Sequence, residues 1–174
     1  NYAEAAAMVE AARDNGVFLM EAFMYRCHPQ VAKLVELLRE KAIGEVRVVN
    51  ASFSFQSGFN PKARLFANAL GGGGILDVGC YAMSMARLVA GAALGGESAE
   101  PLEVRGTARI GSTGVDEWAV ASLKFPGDIL GQVATGVLLN QENCVRIFGS
   151  GGSIYLPSPW GMGEKGGTVR IVLN

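Results

Sequence analysis

After Gly91 the chain offers one candidate strand after another with no helical pattern between them: 103–110, 117–125, 128–139, 143–148, 153–156 and 168–173. The cleanest alternates Val104, Gly106, Ala108 and Ile110 against Arg105, Thr107 and Arg109, the period of a half-buried strand. Turn signals such as Pro126-Gly127-Asp128 and Gly149-Ser150-Gly151-Gly152 separate the runs. Strands joined without crossover helices pair antiparallel. The helical patterns all come earlier, so the expected fold class is α+β: a large, mostly antiparallel open sheet with helices on one face and a second face left to cover.

The earlier half supplies those helices. Residues 3–15 carry an apolar stripe of Ala5, Met8, Val9 and Ala12, and Gly16 is a natural stop. Val17–Met20 is a short, wholly apolar run, as a buried parallel strand would be. Together they read as the end of an α/β unit. Pro29 sits at the favoured first position of a second helix, with Val31, Leu34, Val35 and Leu38 on its buried face and Gly44 beyond its end. Residues 45–55 alternate as a strand, Val46 and Val48 pointing one way and Val49, Ala51, Phe53 and Phe55 the other.

Between that strand and the late strands lies the segment with most chemistry. A loop from Gln56 to Leu70 leads to Gly71-Gly72-Gly73-Gly74, and a helix pattern starts at once, from Ile75 to about Ala90. Ile75, Val78, Ala82, Met85 and Val89 form its apolar face. Asp77, Tyr81 and Ser84 form a polar one. Residues four apart on a helix have Cβ atoms about 5–6 Å apart, so Asp77 and Tyr81 can reach one small ligand. A carboxylate and a phenol beside a loop without side chains suit proton transfer. Gly79 leaves room for a flat ring. Arg64 and Lys62, in the preceding loop, are candidates for contact with a polyhydroxyl substrate.

Other functions fit less well. A net charge of −1 gives no electrostatic footprint for nucleic acid. No run reaches the roughly 18 apolar residues of a membrane span. His28 is the only histidine; it precedes Pro29 and reads as a helix cap, with no second His to share a metal. Cys27, Cys80 and Cys144 are odd in number and far apart, which suggests buried thiols in a reducing, cytoplasmic setting. Hydrophobic residues make up 49% of the chain and charged ones 18%, so apolar surface buried against another subunit is expected. Gly149–Gly152 is followed by more strand, not by a helix, and reads as a hairpin turn instead of a phosphate loop.

Four stretches together resemble the glucose–fructose oxidoreductase / inositol dehydrogenase superfamily of NAD(P)-dependent oxidoreductases. Glu21-Ala22-Phe23-Met24-Tyr25-Arg26-Cys27-His28-Pro29 is similar to its crossover from cofactor domain to substrate domain. Asn60 to Tyr81 resembles its active-site loop and helix, Val115-Asp116-Glu117-Trp118-Ala119 the start of a sheet strand, and Phe148 to Ile154 its late hairpin. The resemblance implies residues 1–22 as the end of a Rossmann domain and residues 23–174 as a substrate-binding and oligomerisation domain. It implies Asp77 and Tyr81 as catalytic, Arg26 as near an NAD or NADP cofactor, a sugar-like small-molecule substrate, and homo-oligomers formed through the sheet face. Tyr at position 81 is similar to the branch with glucose–fructose oxidoreductases and dihydrodiol dehydrogenases, while Met24 replaces a tryptophan of the dihydrodiol branch. The family's catalytic lysine and its glycine-rich nucleotide loop would lie upstream of Asn1, and a final helix after Asn174. The alternative is a non-catalytic sugar-binding or oligomerisation module.

Overall fold

The computed structural model describes residues 2–161 and 171–174. Its helices are α1 (Tyr2–Asp14), α2 (Pro29–Arg39) and α3 (Cys80–Ala93). Its strands are β1 (Val46–Ser54), β2 (Glu103–Ile110), β3 (Asp116–Lys124), β4 (Leu130–Gly136), β5 (Val145–Gly149), β6 (Ser153–Leu156) and β7 (Val172–Leu173). They form one sheet in the order β2-β3-β4-β1-β5-β6-β7. Every neighbouring pair is antiparallel except β1 and β4. The fold is thus α+β with a mostly antiparallel open sheet. The part of the 168–173 strand before Ile171 lies outside the described residues.

The parallel pair explains where α3 must go. Strands β2, β3 and β4 form a meander whose last member returns beside β1, with Ala51 opposite Val133 and Phe53 opposite Thr135. A parallel return needs a crossover, and the chain from Gln56 to Ala93 supplies it, laying α3 on the sheet. The inward row runs Val49, Ala51 and Phe53 on β1, Val145 and Ile147 on β5, and Ile154 and Leu156 on β6. Apart from half-buried Phe53, all of these are buried. Leu34 and Leu38 of α2 and Ala82, Met85 and Val89 of α3 close the core from above.

Local chemistry fixes the ends of these elements. His28 Nδ1 accepts a hydrogen bond from the Gln30 amide at 3.1 Å, so the only histidine caps α2 as expected. The Gly149–Gly152 turn joins β5 to β6, and the Gly149 amide bonds to Gly152 O at 2.9 Å; it is a hairpin. In β1 both Val46 and Val49 are buried, whereas strict alternation would set them on opposite faces. A register shift between Val46 and Val48, a β-bulge, inserts the extra residue that turns Val46 inward.

Three other expectations are corrected. Val17–Met20 forms no strand: its four side chains are at least 53% exposed, because no neighbouring strand is there to pair with it among the described residues. Cys27 is exposed, so only Cys144 of the three thiols is buried. The stretch Asn68–Ala93 does hold a window with the length and composition of a membrane span, of mean hydropathy 1.3, but a turn at Gly71–Gly74 interrupts the stretch and 56% of that window is buried inside the protein.

Near the end of α3 the packing leaves no tolerance. A Cβ at Gly91 would overlap the backbone of Ser98, which cannot swing aside as a side chain could. Overpacking of this kind costs about 1–3 kcal/mol. Gly91→Ala should lower the urea midpoint accordingly without changing the slope of the transition, which chemical denaturation followed by fluorescence will show.

Candidate active site

The helix that carries Asp77 and Tyr81 begins irregularly. Residues Ile75–Gly79 form a single π-helical turn, closed by the Cys80 amide bonding back to Ile75 O, before the α-helical ladder of α3 takes over. One-turn π insertions widen a helix and recur at functional sites. The wider turn also swings Ile75 outward to 47% exposure, although its spacing from Val78 and Ala82 placed it on the apolar face.

Gly79 brings the turn down against β4. A Cβ there would lie 2.9 Å from Thr135 Cγ2 and 3.2 Å from Thr135 Oγ1. The missing side chain lets the turn settle directly on β4. A cavity of about 480 Å³ adjoins this contact, lined by Ile75, Leu76, Gly79 and Cys80 over Val104 and Ala108. It is apolar, and neither Asp77 nor Tyr81 lines it.

Asp77 is mostly buried, its side chain 15% exposed, and Arg64 Nη2 donates to its Oδ1 at 2.5 Å. The loop 56–70 thus folds back over the turn and sets a guanidinium on the carboxylate. The structure gives Arg64 an intramolecular task where the sequence offered substrate contact. Lys62 is exposed and forms no ion pair among the described residues. Arg26 lies exposed on the 3₁₀ turn Met24–Cys27, likewise unpaired among the described residues.

Tyr81 stands among aromatic rings that come from distant parts of the sequence. Phe23 and Phe53 meet it edge-on at 5.1 and 5.4 Å between centroids, and Tyr25 and Trp160 lie at 5.8 and 6.2 Å. Trp160 is fixed by its indole N–H, which donates to Ser52 O at 2.8 Å. Tyr25 is wholly buried and donates to Ser84 Oγ at 2.9 Å. Ser84 is therefore a buried acceptor and not part of a solvent-facing stripe. Edge-to-face pairs of this kind each contribute about 0.5–1.5 kcal/mol, enough to hold the Tyr81 ring in one orientation. Its hydroxyl is left pointing at Met24 Sδ, 3.5 Å away. None of these four rings was legible as a partner of Tyr81, because nothing in their spacing links positions 23, 25, 53 and 160.

The environment acts on the phenol. Burial pushes the Tyr81 pKa up, and the negative charges of Cys80, Asp77 and Glu21 push it the same way. Asp77 is thus close enough for its charge to be felt at Tyr81, as the four-residue spacing implied. Burial likewise raises the Tyr25 phenol, against a lowering by its bond to Ser84. Both tyrosines are then neutral at pH 7.

The comparisons with known proteins bear on the family and the fold. Residues 31–155 match the model of the GFO/IDH/MocA C-terminal domain. The chain belongs to that family. It is 34% identical over 160 residues to the trans-1,2-dihydrobenzene-1,2-diol dehydrogenase of Mus musculus, covering 92% of this chain and 46% of the relative. The zebrafish (Danio rerio) enzyme of the same name is 35% identical over 158 residues, covering 91% and 45%. Among solved structures, an aldose-aldose oxidoreductase from Caulobacter crescentus complexed with glycerol superposes with a TM-score of 0.81 at 25% identity, over 98% of this chain and 50% of that one. A 3-ketoreductase from Actinomadura kijaniata in complex with TDP-benzene and NADP gives 0.80 at 25% identity, over 98% and 50%. The chain spans about half the length of these relatives.

A raised phenol has a readable consequence. Stability from a tyrosine whose folded pKa lies above its unfolded value is complete below about pH 10 and is lost as pH rises through the folded value. Ultraviolet difference titration of the chain should therefore find Tyr25 and Tyr81 ionising above 10, together with a loss of thermal stability in that window. Tyr155, raised by its hydrogen bond to Glu142, should also ionise late, and Tyr81→Phe should remove one of these three late ionisations.

Proposed function

We propose that this chain is the substrate-binding half of an NAD(P)-dependent oxidoreductase that moves hydride between nicotinamide and a secondary alcohol or carbonyl of a sugar, polyol or dihydrodiol. The observation that carries the reading is the placement of Asp77 on a turn seated against the sheet and of Tyr81 in the first turn of α3 that follows, the phenol braced by four rings. The relatives' dehydrogenase and oxidoreductase names support it.

Nicotinamide, when bound, takes up or supplies the hydride. The residues here handle the proton. Oxidising an alcohol requires its hydroxyl proton to leave, and Tyr81 Oη is the group that receives it; in the reverse direction the same atom donates. A neutral phenol is ready to donate at pH 7, but to accept it must first be ionised, which calls for a nearby cation. Arg64 is already engaged by Asp77. The family resemblance assigns that cation to a lysine outside the described residues. Asp77, held by Arg64, orients the substrate hydroxyl or that cation. Lys62 stays free for a polyhydroxyl substrate. The fit to the cofactor is partial: Arg26 offers an unpaired guanidinium for it, whereas Gly79 is taken up by Thr135.

Residues 1–22 are assigned to the end of the dinucleotide-binding domain. α1 buries no residue, and Val17, Phe18, Leu19 and Met20 are exposed, as surfaces made to pack on more of such a domain would be. The cytoplasm is the assigned location. The outer face of the sheet is assigned to a second copy of the chain. Leu130, Val48 and Phe148 lie side by side across β4, β1 and β5 on that face, and Asn50 Oδ1 on the same face is buried without a partner among the described residues.

Two measurements test these assignments. In the enzyme that joins this chain to a dinucleotide-binding domain, Tyr81→Phe should lower kcat by about 10²–10⁴-fold with cofactor affinity unchanged. A variant with more than half the parent's kcat would end the acid–base assignment of Tyr81. Sedimentation should give a dimer burying on the order of 2,000 Å², and Phe148→Glu should convert it to monomer.

A further inference from the structure

We infer that Asp116 and Thr135 are positioning residues, which fix the register of the π turn and so the angle between Asp77 and Tyr81. This rests on the assignment of Asp77 and Tyr81 as the reacting pair. The two residues seize one peptide unit, Gly74–Ile75, by both its polar atoms. Asp116 Oδ2, at the start of β3, accepts from the Ile75 amide at 2.7 Å. Thr135 Oγ1, buried on β4, donates to Gly74 O at 3.1 Å.

The glycine run is built around this clamp. A Cβ on Gly73, whose φ is +110°, would collide with the Asp116 carboxylate, and one on Gly74 would lie 3.2 Å from Asp116 Oδ2 and 3.0 Å from the Gly136 Cα. Two of the four glycines thus make room for a carboxylate from β3. Thr135 also meets the other end of the turn, its methyl against the Cα of Gly79. One side chain therefore spans the π turn from the residue before it to its last residue, while Asp116 holds the start.

Register matters because a π turn contains one residue more than the α-helical turn it replaces. If it relaxed to α geometry, everything before it would rotate relative to everything after by about 100°, the angle of one residue on a 3.6-residue helix. Asp77 lies inside the turn and Tyr81 beyond it. Asp77, inside the turn, would take up part of that rotation, so the two groups would stay on one face but the angle between carboxylate and phenol would change, while the α3 ladder stays intact. Nothing in the hydrophobic core needs the π form, since Val78, Ala82, Met85 and Val89 can bury themselves on a regular helix.

Thr135→Val tests this, because it keeps the methyl against Gly79 and removes only the hydroxyl. Amide hydrogen exchange in the 174-residue chain should become about tenfold faster or more over residues 73–79 and stay unchanged over 82–93. In the joined enzyme kcat should fall roughly 10–100-fold, the cost of a small misplacement of reacting groups, with the cofactor KM unchanged. Thr135→Ser, which restores the hydroxyl, should recover most of both. Asp116→Asn keeps an acceptor oxygen and should stay within about threefold of the parent, whereas Asp116→Ala should resemble Thr135→Val. Parent-like exchange over 73–79 in Thr135→Val would overturn the inference, as would an equal acceleration over the whole domain, the sign of general destabilisation. The exchange result stands whatever Tyr81→Phe does to turnover, so failure of the clamp and failure of the proposed chemistry are told apart.

Discussion

The contact on which the rest depends is the seating of a helix start directly on the sheet, Gly79 against Thr135 with no side chain between them. A residue of any size at position 79 would lift the turn off β4. Everything that follows in space is referred to that contact. α3 runs from it across β1, the core closes beneath α3, and the Tyr81 ring comes to rest beside Phe53 on the strand next to β4. Two parallel strands make it available, because only a crossover brings the chain back over β1 and β4 with its helix lying on them.

Above the seat, charge and ring packing divide the labour. Arg64 holds the Asp77 carboxylate, and rings hold the Tyr81 phenol. The two groups are rigid for different reasons, so each can be perturbed separately. The same packing that orients the phenol also removes water from it, which keeps it protonated. In the proposed reaction the phenol is therefore ready to donate a proton. Acceptance needs a positive charge near the phenol, which the proposed reaction assigns to a lysine outside the described residues.

How much of this could be read in advance follows the range of the interactions. Strand order after Gly91, the α2 face and the His28 cap are set by neighbours in sequence, and their patterns were legible. The nearness of Asp77 to Tyr81, felt as an electrostatic effect on the phenol, is likewise a four-residue relation. The π turn was not legible, because a single glycine at position 79 looks the same whether it makes room for a ligand or for a threonine 56 residues later. Ser84 read as surface because its partner, Tyr25, is 59 residues away. Val17–Met20 shows the opposite failure: the composition of a buried strand was real, but a strand is a property of two segments, and its partner is not among the described residues.

The most direct test of the account is the pH dependence of kcat in the joined enzyme, in the direction of alcohol oxidation, for the parent and for Tyr81→Phe. If Tyr81 receives the proton with the help of an external cation, the parent's rate rises with pH along an ionisation limb below the ordinary phenol value of about 10, and that limb is absent from the phenylalanine variant. A limb that persists unchanged when the phenol is removed would contradict the assignment of Tyr81 as the proton carrier.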